Sequence, residues 1–151
     1  MKNQKTCVLF SLCKELFGMD VENVLRVINL DKMMKVPKAP EYIMGAISLE
    51  GNVIPVVDLA RKIDLGSTEI TGETKVIVLE ITHGDTTLLA GVLIDDVLDV
   101  ITMEESRLMP PVLESMGFNT QTMDGIYKLE DNFYNILNAS KIFEKEFAAL
   151  A

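Results

Sequence analysis

Apolar positions along this chain fall into short blocks of strand length, separated by polar turns. Residues 6–13 are apolar on both faces, which predicts a strand covered on both sides. Lys14-Glu15 turns it, residues 16–20 return, and residues 21–28 continue through a bend at Glu22-Asn23. A short connection, 30–36, leads into 37–60, the stretch around which the rest is organised. Pro37 and Pro40 disfavour helix in the residues before them, and Gly45 reads as the left-handed stop of a turn over 41–44. Residues 46–49 and 52–57 read as a hairpin joined at Glu50-Gly51, with glycine where a tight turn needs positive φ. Pro55 cannot donate to a ladder, which predicts an edge or a barrel seam for its strand. Asp58 is expected to cap a short helix over 59–63.

The polar segment 63–74 carries two glycines and no period, and reads as a boundary between halves. Strands are then expected over 76–82 and 87–94 about a turn at His83-Gly84-Asp85. The pattern repeats the first half. GMDVENVLRVI from Gly18 lies over GVLIDDVLDVI from Gly91 at an offset of 73, with five of eleven positions identical. GAISLEGN from Gly45 lies over GIYKLEDN from Gly125 at an offset of 80, and Asp58 is echoed by Asn138. The offset grows by seven, which places extra residues around Pro110-Pro111. Two blocks in the same order, each opened by glycine, predict a duplication of one unit. Each unit has about five short strands, which fits a small closed barrel packed by one face against the other barrel. The segment 139–151 is the one strong helical pattern: Phe143, Phe147 and Leu150 share a face, with Ile142 beside them, and should dock on a barrel.

A chain of 151 residues that is 48% hydrophobic is long enough and apolar enough to fold around a core. A formal charge of −9 argues against nucleic acid or an anionic membrane surface as partner. The amino terminus reads as a strand and not a signal peptide, and no run reaches the roughly 20 apolar residues of a spanning helix. Cys7 and Cys13, placed on one strand, would stand roughly 20 Å apart and could not bridge, so a reduced, cytosolic protein is expected.

Candidate chemistry is sparse. His83 is accounted for by its turn, and two cysteines with one histidine on separate strands do not make a zinc site. Asp95-Asp96 falls where the repeat has Glu22-Asn23, so it marks a bend and not an acid pair. There is no phosphate loop and no nucleophile elbow. No catalytic residue, metal or cofactor is therefore expected. The nine methionines are mostly core fillers, with Met33-Met34 and Met109 as candidates for partial exposure on an adaptable surface.

Over nearly the whole chain these residues resemble the CheW-like domains of bacterial chemotaxis. The specific part is the Pro-x-x-Pro at Pro37, the pair Tyr42-Ile43, Gly45, the tip Ser48-Leu49-Glu50-Gly51 and the run from Val53 to Leu59. Gly91 to Val97 and the Gly125 hairpin complete it. The resemblance implies an all-β fold of two similar five-stranded Src-homology-3-type barrels packed together, with short helices and a C-terminal helix. Residues 1–151 would be a single CheW-like domain, with approximate barrels at 14–66 and 67–138, the N-terminal strand free to join either, and the helix at 139–151. It also implies a cytoplasmic adaptor, without catalysis or cofactor, associated with receptor arrays at the inner face of the membrane. Its partners would be the helical hairpin tip of a chemoreceptor, in the groove between barrels, and the regulatory domain of a CheA-type histidine kinase. By position, Val24, Gly45, Val53, Val97 and Val100 match groove or kinase-contacting residues, and Val112 and Leu113 match a loop that builds a ring contact.

The chain departs from the family in one place. Such proteins carry arginine at the hairpin tip and an acid on the strand matching 24–28; here the tip is Glu50 and the strand residue Arg26. Both signs have changed together, which predicts that the two side chains face each other and that the partner carries compensating charge. The alternatives are a specialised CheW-like subunit of a non-flagellar pathway, the adaptor part of a protein with a receiver domain, and a small-ligand-binding protein or enzyme using the inter-barrel groove.

Overall fold

The computed structural model describes residues 3–111 and 121–150. Buried residues on both faces of β1 (Gln4–Leu12) match the covered strand read from the sequence. Cys13, expected as its last residue, instead shares the turn with Lys14. Both have positive φ, 51° and 64°, the pattern of a tight hairpin turn. β2 (Glu15–Asp20) returns, and a 3-10 turn at Val21–Asn23, held by Glu22 N donating to Asp20 Oδ1 at 2.9 Å, swings the chain into β3 (Val24–Asn29). The central hairpin is β4 (Ile43–Leu49) and β5 (Asn52–Val57), turning on Glu50 and Gly51 at φ 49° and 85°. After α1 (Leu59–Lys62) come β6 (Lys75–His83), β7 (Thr86–Ile94) and β8 (Asp96–Glu104). β9 (Met123–Leu129), β10 (Asn132–Leu137), α2 (Ala139–Ile142) and α3 (Glu144–Leu150) close the chain.

The strands form two five-stranded sheets, in the orders β8-β1-β2-β10-β9 and β3-β6-β7-β5-β4. Matching β1–β5 to β6–β10 turns one order into the other, so the duplicated unit is present in the topology. The units are interleaved, however, and neither barrel is a contiguous half. β8 pairs with β1, and β3 with β6. The expected barrels at 14–66 and 67–138 are corrected accordingly: one comprises β1, β2, β8, β9 and β10, the other β3 to β7. The cause is local, since the bends after Asp20 and at Asp95 each carry the chain out of one sheet and into the other.

Both barrels are sewn in the same way. β2 runs parallel to β10 with Gly18 opposite Ile136, and β7 runs parallel to β5 with Gly91 opposite Val56. Pro55 stands one residue before that parallel pairing begins, at the seam the sequence implied. The connection before β4 adds a bridge between Met34 and Ala46, and the second unit repeats it between Met109 and Ile126. Gly45 is therefore not a helix stop: it lies within β4, where a Cβ would stand 2.5 Å from the Met34 carbonyl oxygen. At Gly125, with φ +155°, the same atom would be 2.3 Å from Met109 O. The extra residues of the second unit fall largely after Met109, and 112–120 of that segment lie outside the described residues.

Three apolar clusters fill the molecule. The largest joins the barrels, drawing Phe10, Phe17, Leu79, Val92 and Phe143 together; smaller ones sit in each barrel. The C-terminal segment breaks at Phe143 into α2 and α3, and Phe143 and Phe147 are buried while Leu150, expected on the same face, is exposed. Asn138 caps α2 by accepting from Lys141 N. Asp58 stands at the N-cap of α1, as expected, but its side chain makes no capping bond. Fully buried, it accepts from Thr68 N and Thr68 Oγ1 (2.8 Å) and pairs with Arg61 Nε at 3.2 Å, which ties down the polar segment between the halves. Satisfaction from three donors is what a buried carboxylate needs.

The bridge glycine gives a direct test. Gly125→Ala is expected to cost roughly 1–3 kcal/mol, because a backbone oxygen cannot retreat as a side-chain tip can. Gly72→Ala, with open space around the added carbon, should leave the thermal midpoint unchanged. Equal midpoints for the two variants in a thermal melt would contradict the close approach.

Candidate protein-interaction surface

The repeat that builds the barrels also builds the surface. β3 and β8 each leave a leucine and a valine exposed, Leu25 with Val27 and Leu98 with Val100. The hairpin strands add Val53 in one barrel and Phe133 in the other, and the bridging residues Met34 and Met109 are likewise exposed. Each pair occupies equivalent positions of the two units, so the exposed apolar set is itself duplicated. Solvated strand positions normally carry polar residues, so this exposed apolar set is the candidate contact surface.

The residues singled out in the sequence separate into groups. Val53 and Val100 are 68% and 56% exposed, open to a partner. Val24 and Val97 are half-buried against the cluster that joins the barrels, so they sit where the barrels meet. Gly45 is buried and enclosed by Met34, and shapes the β4 edge without offering contact surface. Val112 and Leu113 lie outside the described residues. Leu25, Val27, Leu98 and Phe133 are exposed as well, although the sequence pattern does not single them out. Leu25 and Val27 fall in the GMDVENVLRVI block and Leu98 in its copy GVLIDDVLDVI, where identity at Leu25/Leu98 and Val27/Val100 is a usable signal.

Arg26 and Glu50 face each other as expected: Arg26 Nη2 donates to Glu50 Oε1 at 2.7 Å, with both side chains well exposed. The register explains the meeting. β3 stands at one edge of its sheet and β4 at the other, and curling brings the hairpin tip over β3. The equivalent positions of the first barrel hold Asp99 and Glu130, two acids that cannot pair, with Lys128 over the Phe133 ring at 5.9 Å. The two barrel ends thus share an apolar pattern and differ in charge.

Little else is arranged for chemistry. His83 ends β6 and packs on Phe147, ring centroids 5.3 Å apart. Asp95 accepts from Lys14 N and Asp96 from Val97 N, so both serve the bend. Burial, aided by the nearby Asp20 carboxylate, pushes the Cys7 thiol up to about 11; Cys7 and Cys13 are both free thiols. Among the described residues, no three His, Cys, Asp or Glu side chains stand close enough to hold a metal ion, and no helix is long and apolar enough to cross a membrane.

Comparison with known proteins gives a consistent picture. A family model for the CheW-like domain matches residues 6–147. The chain is 30% identical over 146 residues to a chemotaxis protein CheW of Bacillus subtilis, covering 97% of this chain and 91% of that one. It is 31% identical over 130 residues to protein FrzA of Myxococcus xanthus, covering 84% and 78%. Among solved structures, the scaffolding protein TtCheW from Thermoanaerobacter tengcongensis matches with a TM-score of 0.79 at 31% identity, over 95% of this chain and 90% of that one.

The Arg26–Glu50 pair is measurable on its own. A double-mutant cycle with Arg26→Ala and Glu50→Ala should return a coupling of roughly 0.2–1 kcal/mol that shrinks as salt is added. Zero coupling at low ionic strength would mean that the two side chains do not pair in solution.

Proposed function

The chain belongs to the CheW-like family, and on that premise we propose that it is a non-catalytic adaptor coupling transmembrane chemoreceptors to a CheA-type histidine kinase. The observation that carries the proposal is the duplicated set of exposed apolar residues at the two barrel ends. Apolar ends on both barrels leave the groove between them free, so the molecule can hold one partner at its ends and another in the groove, which is what an adaptor requires. In this reading the kinase regulatory domain packs against Val53 and Val100 at the barrel ends. The helical hairpin tip of the receptor lies along the groove between barrels, over Val24 and Val97, anchored by apolar residues at helical spacing. The protein acts in the cytoplasm at receptor arrays on the inner face of the membrane.

The ion pair sets which partner is accepted. Glu50 stands at the hairpin tip beside Val53, so a partner bearing an acid opposite that tip is repelled and one bearing a base is favoured. The partner is accordingly a dedicated one, with charge that complements Glu50.

Titration calorimetry with a kinase regulatory domain from the same genome tests this reading. Val53→Asp and Val100→Asp should each weaken binding at least tenfold while leaving the thermal midpoint nearly unchanged, because both side chains are already in water. Glu50→Arg should weaken binding, and the Arg26→Glu, Glu50→Arg double swap should move preference towards partners of ordinary family members. Unaltered affinity in both valine variants would remove the barrel ends from the interface.

A further inference from the structure

We infer that the barrel formed by β3 to β7 holds a preformed slot for one aromatic side chain of a partner protein. The inference deepens the adaptor reading and rests on it for the partner that supplies the ring. It comes from comparing the two duplicated barrels at one place, the gap between the edge strands.

In the first barrel that gap is filled from within. Tyr127, on β9, is 2% exposed and accepts through its hydroxyl from Glu104 N at 3.3 Å. The Arg107 guanidinium lies over its ring, 5.0 Å from the centroid, and donates to Lys128 O at 3.1 Å, closing the mouth. Tyr127 belongs to one buried apolar cluster with Cys7 and Met103, and Ile101 packs against that cluster. An aromatic ring with an apolar floor, a cation over its face and a donor for its hydroxyl is well accommodated.

In the second barrel the apolar surroundings of this site are retained and the ring is missing. The offset of 73 maps Ile101, Met103 and Glu104 onto Ile28, Leu30 and Asp31, and the offset of 80 maps Tyr127 onto Ile47. The registers agree, since Ile101 pairs with Cys7 in one sheet and Ile28 with Val76 in the other. Isoleucine is too short to reach across, and what remains is a cavity of about 270 Å³ lined by Ile28, Leu30, Asp31, Met34, Ile47 and Val76. That lies just below the roughly 300–1,000 Å³ of sites for whole small molecules, a size suited to one ring. Lys32 stands at its rim as Arg107 does in the first barrel. Asp31 N–H, which matches the donor to the Tyr127 hydroxyl, meets no acceptor among the described residues.

The occupant is therefore a tyrosine or phenylalanine side chain, since Tyr127 shows in the same fold what the slot takes. A partner protein supplies it, because Ser48 also lines the slot and pairs across the hairpin with exposed Val53. The slot is thus continuous with the apolar face already assigned to partner binding. Buried aromatic anchors of this kind dominate many interfaces.

The test uses p-cresol as the free tyrosine side chain, followed by amide NMR on the intact protein, together with partner titrations. The expected result is p-cresol shifts at Asp31, Ile47 and Ser48, absent in Ile47→Tyr, whose own ring fills the slot. Kinase regulatory domain and receptor hairpin fragment are titrated separately, and at least one should lose tenfold or more in affinity for Ile47→Tyr. Met34→Trp, at the exposed mouth, should do the same without altering the core, which covers the case in which Ile47→Tyr folds poorly. No p-cresol shift at the slot would overturn the inference. So would p-cresol binding with full partner affinity in both variants, which would mark a small-molecule site. Failure of the wild type to bind either partner would overturn the adaptor reading itself, a result distinct from any at the slot.

Discussion

Each barrel is completed by strands from the other half of the chain, and the remaining features depend on that exchange. β8 lies along β1 and β3 along β6, so neither half can close its sheet alone. The exchange makes the inter-barrel cluster continuous: Phe10, Leu79, Val92 and Phe143 come from both halves and pack as one body. It also sets the shape of the surface. The strands that cross over, β3 and β8, carry the exposed Leu-Val pairs and therefore display them at matching places on both barrels. The two bends that permit the crossing are small and local, a 3-10 turn after Asp20 and a bend at Asp95 whose carboxylate accepts from Lys14 N.

Duplication followed by divergence explains why the barrels look alike and behave differently. The constrained positions kept their residue type: Gly18 and Gly91 at the parallel seams, and Gly45 and Gly125 beneath the methionine bridges. The free positions drifted. Arg26 meets Glu50 in one barrel where the other has Asp99 and Glu130, and buried Tyr127 stands where the other barrel has the smaller Ile47. In the adaptor reading this asymmetry makes the two barrel ends distinguishable to a partner.

Much of this was legible in the sequence, for physical reasons that differ from element to element. Strand positions followed from alternation and turn chemistry, as at Glu50-Gly51. The Arg26–Glu50 pairing followed from two charges that had changed sign together. Strand exchange was not legible, because a repeat reports what each unit contains and not which copy its strands pair with. Gly45 was misread for a related reason: a glycine needed for a close carbonyl approach looks in sequence like one needed for positive φ. Asp58 likewise has the residue type and position of a cap, yet its side chain turns to Thr68 and Arg61, partners fixed only by tertiary structure. The exposure of Leu25 and Val27 was hidden because an apolar strand residue reads as core until the sheet order is known.

In the adaptor reading one chain would hold receptor and kinase together, the kinase at the barrel ends and the receptor in the groove between them. The most direct measurement is co-sedimentation of the kinase with receptor-bearing membranes, with and without this protein, using receptor and kinase from the same genome. The account predicts that kinase pellets with the membranes in proportion to added protein, and that Val53→Asp with Val100→Asp abolishes this while the variant keeps its fold. Kinase that pellets equally without the protein, or that stays in solution however much is added, would contradict it.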